Sequence, residues 1–288
     1  PTAQGIRPGR RNTPGLLDAR YRRWFGWDGA SDSLWAASLR PVLAAGEMGG
    51  GIDRLAALIA GDPVYRADYT ALFGTAPERQ PAEAVAIAAA KALAAFQETL
   101  VSPRTPFDDF RDALAAGDAA AQAHYPAAAR RGLKLFVGRG DCATCHYGPG
   151  FSNGAFADIG RPHFLPDGSV DPGRHGGIAA LRASPYTRIG PWSDDRDGPA
   201  AVAVAVRHLA PHPRNWGEFK VPSLRGLAAT APYMHDGSLP SLESVLRHYS
   251  EVDEERLHAD REKLVRPLRL TAAEIADLAA FLATLSPQ

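Results

Sequence analysis

The chain of 288 residues has only two cysteines, no surplus of either charge and no long apolar run. Each absence removes a class of protein. Thirty-two basic residues balance 32 acidic ones, so neither a nucleic-acid footprint nor a patch for acidic substrates is implied. No apolar run approaches transmembrane length and no signal peptide is recognisable, so no membrane span is expected. The start, Pro1-Thr2-Ala3-Gln4, reads as mature or truncated. Alternating β-branched runs are scarce. Alanine fills long stretches, while 28 Gly and 24 Pro punctuate the connections, which predicts an all-α chain of short helices and long loops. A hydrophobic content of 45% can bury a core, and the length suits one large or two small domains.

The two cysteines lie in one motif, Cys142-Ala143-Thr144-Cys145-His146. Thiols three positions apart reach the two vinyl groups of one porphyrin, and the adjacent His aims its imidazole at the iron, so CxxCH reads as a c-type haem attachment site. Other readings fit less well. A structural zinc site takes four ligands, and no further cysteine is present. A thioredoxin-like pair belongs in a βαβ setting that the sequence does not show. A disulfide closing so tight a loop would do little structurally. Covalent haem attachment takes place outside the cytoplasmic membrane, so a periplasmic location follows from the haem reading.

Turn residues dominate 1–30, where Trp24, Phe25 and Trp27 crowd together. Ser31-Asp32-Ser33 can cap a helix to Leu43, Asp53 one from Arg54 to Ala60, and Asp62-Pro63 one to Phe73. An Ala-rich helix is expected from Pro81 to Leu100, with Val85, Ala88, Leu93 and Phe96 on its apolar face. Thr105-Pro106 and Gly117-Asp118 mark a domain boundary near 116. A helix is then expected over Ala119–Val137, with Leu133, Phe136 and Val137 inward. Residues 155–218 form an irregular insert with helical pieces near 177–183 and 199–209; such a stretch stays ordered by wrapping something. Ser241–Ser250 is helical with Leu242, Val245, Leu246 and Tyr249 on one face. Thr271 and Glu274 form a capping box for the closing helix.

Three ordered blocks resemble the bacterial di-haem cytochrome c peroxidases and MauG-type enzymes. They are RNTPGLLDARYRRWFGWDGASDSL (Arg11–Leu34) with Pro41 and Gly46-Glu47-Met48-Gly49; Gly132-Leu133-Lys134-Leu135-Phe136 leading to CATCH and Gly148-Pro149-Gly150-Phe151-Ser152; and FKVPSLRGLAATAPYMHDGSLPSLESVLRHY (Phe219–Tyr249). The resemblance implies two cytochrome c-like domains. Residues 1–115 would be an incomplete N-terminal domain lacking its CxxCH, and 116–288 a C-terminal haem c domain carrying the insert. The second haem would be attached upstream of Arg11; the alternative is a genuine mono-haem relative.

The resemblance also assigns roles. His146 is the proximal ligand of the haem held by Cys142 and Cys145. Met234, His235, His248 and Tyr249 are candidates for the sixth position, and the alignment places Tyr249 where the peroxidases carry Met and MauG carries Tyr. Glu47 resembles the distal acid of the peroxide-binding haem, Pro41 its distal proline, and Trp27 the tryptophan between the haems. Ala37 stands where the family often has Gln. Asn12, Thr230 and Pro232 match positions that bind calcium between the domains, where hard oxygen donors suit that ion. Lys220 and Arg225 are candidate propionate partners. The insert, the RNWGEFKVPSLRG run and SDSLW are similar to a narrower, MbnH-type branch that oxidises a tryptophan on a partner protein. MauG carries a relay Trp two residues before its second CxxCH, where Gly140 stands here; Trp192 or Trp216 would then serve instead. The leading functional expectation is therefore hydrogen peroxide-driven long-range oxidation of a periplasmic protein through a high-valent haem pair. The alternatives are peroxide reduction with electrons from a small cytochrome, and mono-haem electron carriage.

Overall fold

The computed structural model describes residues 2–4, 8–161, 165, 168–194, 205–252 and 265–287. Among these the helices are, in chain order, α1 (Leu34–Leu43), α2 (Gly51–Gly61), α3 (Pro63–Phe73), α4 (Ala82–Glu98), α5 (Pro106–Ala116), α6 (Ala119–Ala123), α7 (Ala127–Val137), α8 (Arg174–Ala183), α9 (Leu242–Glu251) and α10 (Ala272–Ala283). Two small antiparallel sheets accompany them, β1 (Thr2–Gln4) with β2 (Pro8–Asn12), and β3 (Phe156–Ala157) with β4 (Phe219–Lys220). The protein is thus helix-rich with a little strand. The chain divides into two compact units: Thr2–Leu100 with Gly177–Pro211, and Val101–Gly176 with His212–Gln288.

Caps explain most helix ends. Ser33 accepts from the Ala36 N–H at the start of α1, and Asp62 accepts from Val64 and Tyr65 with Pro63 at the first helical position. Gly74 ends α3 in the left-handed region at φ 73°. Thr271 and Glu274 form the expected capping box on α10. Some expectations fail for local reasons. Asp53 lies inside the first turn of α2, with Gly50 at the cap. The single helix expected over 119–137 is two, because Pro126 cannot continue α6 and instead starts α7. Helix α5, not anticipated, is closed by a Thr105–Asp108 capping box and by Gly117 at φ 67°. Of the piece expected near 199–209, residues 199–204 lie outside the described residues and 205–207 are helical.

In the first unit α4 is central. Val85, Ala86, Ile87 and Ala90 are buried against Leu39 of α1 and Ala56 and Ile59 of α2. Its apolar face is narrower than the periodicity suggests, since Leu93 is 47% and Phe96 63% exposed. In the second unit Phe136 of α7 packs with Ile275, Leu278, Phe281 and Leu282 of α10, and Phe151 completes the cluster. Val137, expected inward, is 60% exposed.

The α7–α10 crossing is tight at Gly132. A Cβ there would sit 2.0 Å from the Asp277 carbonyl oxygen and 2.8 Å from the Phe281 Cβ. Flanking ion pairs hold the approach: Arg131 to Asp277 at 2.7 Å, and Arg139 to Glu274. Substituting Gly132→Ala forces the helices apart, and should lower stability in urea or thermal unfolding by about 3 kcal/mol, the upper part of the overpacking range. Arg131→Ala, which breaks an exposed and solvent-screened pair, should change stability far less than Gly132→Ala in the same unfolding measurement.

Candidate haem centre

The CATCH motif follows α7 through Gly138 and Gly140, in a turn set by α7's own last carbonyls. Gly138 N–H donates to Lys134 O and Gly140 N–H to Leu135 O, each at 2.9 Å. A Cβ at 140 would meet that same Leu135 oxygen at 2.7 Å and Cys142 Sγ at 3.5 Å. Position 140 therefore has no room for a side chain without moving the turn. Asp141 adopts φ 50°, and Cys142–Thr144 form one 3-10 turn. His146 N–H closes it onto Cys142 O at 2.9 Å.

Both cysteines are free and half-buried. Burial, with Asp141 nearby, pushes the Cys142 thiol up to about 11, and raises Cys145 for the same two reasons. An activated redox thiol is pushed the other way, so a thioredoxin-like role has no electrostatic support. His146 is neutral, because burial lowers its pKa. Its Nδ1 lies 2.9 Å from the Phe151 carbonyl, and the Pro222 carbonyl faces the same ring. With Nδ1–H donating to Phe151, the Nε2 lone pair is left for a metal.

Phe151 did not stand out in the sequence, yet it sets that geometry. Its backbone is left-handed, at φ 50°. Its ring lies among Phe107, Phe136 and Phe281, at 5.2, 6.2 and 6.3 Å between centroids. The loop continues locked: Ser152 Oγ donates to Val221 O at 2.7 Å, and Asn153 N–H to Cys145 O at 2.8 Å.

Four residues were candidates for the sixth position. His248 holds the Ile159 carbonyl at 2.9 Å through Nε2. His235 is buried and stacked on Phe219, 3.6 Å between centroids. Met234 occupies a turn at φ 72°. Tyr249, on α9 one turn after the buried Leu246, is the one whose phenol lies within electrostatic reach of Cys142 and Cys145. Burial raises its pKa first, and the two thiols add to the shift. Two free thiols, an oriented neutral imidazole and a buried phenol near them are a donor set that fits a c-type haem.

The remaining residues fall in both units. Arg225 forks onto Asp108, Nη1 and Nη2 each 2.9 Å from a carboxylate oxygen, and its Nε reaches Pro149 O at 2.5 Å. This bidentate pair is buried, 10% and 7% exposed, and occupies the guanidinium that was a candidate for a propionate. Lys220 is half-buried on β4. Thr230 and Pro232 belong to this unit, with Thr230 Oγ1 donating to Leu227 O at 3.2 Å. Asn12 belongs to the first unit, where its carbonyl accepts the Trp27 indole N–H at 2.8 Å. Beside it, burial would raise Asp28, but Arg11 at 2.5 Å and Arg40 at 3.5 Å hold it below the usual carboxylate range. Pro41 lies in the last turn of α1 and Glu47 in the turn after it; Met48 N–H donates to Pro41 O at 3.0 Å and Glu47 N–H to Ala44 O at 2.9 Å.

Hydrogen bonds from Arg225, outweighing burial, hold Asp108 well below the usual carboxylate range. A depressed folded pKa contributes stability above about pH 4 and loses it as the pH falls below that value. Asp108→Asn should cost about 3 kcal/mol in urea unfolding at pH 7. The gap to the parent protein should shrink on going to about pH 3, where the unfolded parent's Asp108 takes up a proton while the folded one stays ionised. A gap independent of pH would show that the charge is not what matters.

The family described as di-haem cytochrome c peroxidase matches residues 1–116, and one described as RoxA-like, cytochrome c-like matches 218–252. The methylamine utilization protein MauG of Methylorubrum extorquens is 35% identical over 284 residues, which cover 99% of this chain and 67% of that protein. Cytochrome-c peroxidase IdrP1 of Denitromonas iodatirespirans is 33% identical, covering 96% and 68%. Among solved structures, a MauG-like protein associated with microbial copper homeostasis superimposes with TM-score 0.67 at 26% identity, covering 98% of this chain and 77% of the other. The diheme peroxidase BthA of Burkholderia thailandensis gives TM-score 0.74 at 22% identity, covering 99% and 75%, a likeness of fold. With a CxxCH turn, an oriented His146 and relatives of this kind along almost its whole length, the chain belongs to the MauG and di-haem cytochrome c peroxidase family of haem c-dependent oxidoreductases.

Proposed function

We propose that this protein uses hydrogen peroxide to oxidise a residue, a tryptophan, on a periplasmic partner protein at long range. The feature that carries the reading is Tyr249, a buried phenol within electrostatic reach of the two haem-attaching cysteines. An anionic oxygen ligand is harder than a thioether and stabilises oxidised iron, which suits a haem that holds oxidising equivalents more than one that accepts electrons. The cofactor of this reading is a pair of c-type haems, one on Cys142, Cys145 and His146, the other attached upstream of Arg11; when bound it would take up and hold the two oxidising equivalents delivered by peroxide.

The chain's own residues divide the remaining work. Glu47 takes a proton from the bound peroxide oxygen and returns it to the departing one. Pro41, fixed by the α1 turn, walls the peroxide site. Trp27, its indole N–H held by Asn12, is the residue that carries charge onward.

A second reading has support of its own: IdrP1 is a cytochrome-c peroxidase and matches the same stretch of chain. In that case electrons come from a small cytochrome. Mixing the full-length haem-loaded protein and peroxide with either a reduced small cytochrome or the candidate partner protein separates the two. Long-range oxidation predicts an oxygen-addition mass shift on a partner tryptophan and only slow cytochrome oxidation. Rapid cytochrome turnover would overturn it. Tyr249→Phe should abolish the spectroscopic change after peroxide while leaving covalent haem in place. A pyridine haemochrome assay should find two haems in the full-length protein and one after Cys142→Ala with Cys145→Ala.

A further inference from the structure

The first unit contains a second group of oxidisable side chains that the roles above do not use. Residues 184–194, part of the irregular insert, lie along α1 and α4. The Tyr186 phenol donates to Glu83 Oε1 at 2.8 Å. Its ring stands edge-on to Trp35, 6.4 Å between centroids at 80°. The Lys91 ammonium lies over the Trp35 ring at 5.8 Å and pairs with Asp194 at 2.5 Å. Trp192 packs with Trp35 and Tyr186 around Leu39, Ala86, Ile87 and Ala90. Arg188 fastens the strap, its backbone N–H reaching the Asp32 carboxylate and its Nε the Asp32 carbonyl, both at 2.9 Å. Trp35 itself also packs against the cluster of Ala19, Phe25, Leu34 and Ala94, so one indole joins the interior of the unit to the strap.

These contacts dictate where an electron vacancy would come to rest. A vacancy on Trp35 places positive charge on a ring whose face already carries the Lys91 cation, and like charges repel. Among the described residues, Tyr186 carries no cation over its ring, and its charged neighbour is Glu83. An oxidised phenol is a very strong acid, however, so a tyrosine gives up its electron readily only where its proton has somewhere to go. The Glu83 carboxylate is already hydrogen-bonded to that proton. In the resting state burial, with Glu83 beside it, pushes the phenol up to about 12, so the proton stays on Tyr186 until oxidation releases it.

We propose that Tyr186, with Glu83 as its proton acceptor, is a proton-coupled site that stores an oxidising equivalent in this unit. One electron leaves Tyr186, by way of Trp35, for a one-electron oxidant generated from hydrogen peroxide by the haem-bearing protein. The phenolic proton moves to Glu83, leaving a neutral tyrosyl radical and a carboxylic acid. Reduction by an outside one-electron donor at the half-buried strap returns the electron, and Glu83 returns the proton. The inference rests on the peroxide-driven reading above, and places the point of exchange on the insert instead of beside the CATCH turn.

Two arms test it in the full-length haem-loaded protein. Freeze-quench electron paramagnetic resonance after one equivalent of peroxide should show a tyrosyl radical that Tyr186→Phe removes. Glu83→Gln, which keeps the size and a hydrogen-bond acceptor but not the base, should lower the radical yield at least about tenfold. It should also abolish the slowing seen in D2O. In the second arm a ruthenium polypyridyl photo-oxidant replaces peroxide, so the Tyr186 radical and its dependence on Glu83 are read without the peroxide reaction. A radical unchanged by Tyr186→Phe, or indifferent to Glu83→Gln, in either arm overturns the proposal. Failure of peroxide to oxidise the haems at all, with the photochemical radical intact, overturns the peroxide reading and leaves Tyr186 as a redox site.

Discussion

The hydrogen bond between His146 Nδ1 and the Phe151 carbonyl is the contact on which the haem centre depends. It fixes which imidazole nitrogen is left for iron, and it is only as firm as the backbone that presents the carbonyl. That backbone is held in a left-handed conformation by the burial of the Phe151 ring among Phe107, Phe136 and Phe281. Phe136 and Phe281 in turn come from α7 and α10, whose approach is set by the missing side chain at Gly132. A helix crossing, an aromatic cluster and a ligand's tautomer are therefore one mechanical chain. Rigid supports of this kind hold a metal ligand more exactly than a loop could alone.

Electrostatics in the second unit work by pairing. A buried carboxylate is tolerable only with a full set of partners, and Asp108 has Arg225, Thr105 and the α5 N-terminus. The same Arg225 also holds Pro149, two residues before Phe151, so the ion pair steadies the loop that orients His146. The thiols and Tyr249 are the opposite case. Each is raised by burial and keeps its proton until a metal or a covalent bond displaces it.

Much of this was legible along the chain where the cause is local. Ser33, Asp62, Ser241 and Thr271 mark helix starts because their side chains satisfy nearby N–H groups. CATCH declares itself for the same reason: its geometry is contained in five residues. Pro126 was equally readable, and splits one expected helix into two. What periodicity does not reveal is which apolar side chains find cover; Leu93, Phe96 and Val137 lie on plausible faces and remain exposed. Pairings across long separations leave no trace in sequence either. Arg225 meets Asp108 over 117 positions, β3 meets β4 through a two-residue register, and Tyr186 meets Glu83 over 103. Tyr249 sits between these cases: its helical face was readable from spacing, its nearness to the cysteines was not.

Gly140 bears on how such enzymes can diverge. The carbonyl that fills the space of its missing side chain belongs to Leu135, and that carbonyl also holds the turn leading to Cys142. Any single codon change that put a large aromatic there would disturb the haem anchor before it created a new electron route. The insert, by contrast, can vary in length and aromatic content without touching the attachment site.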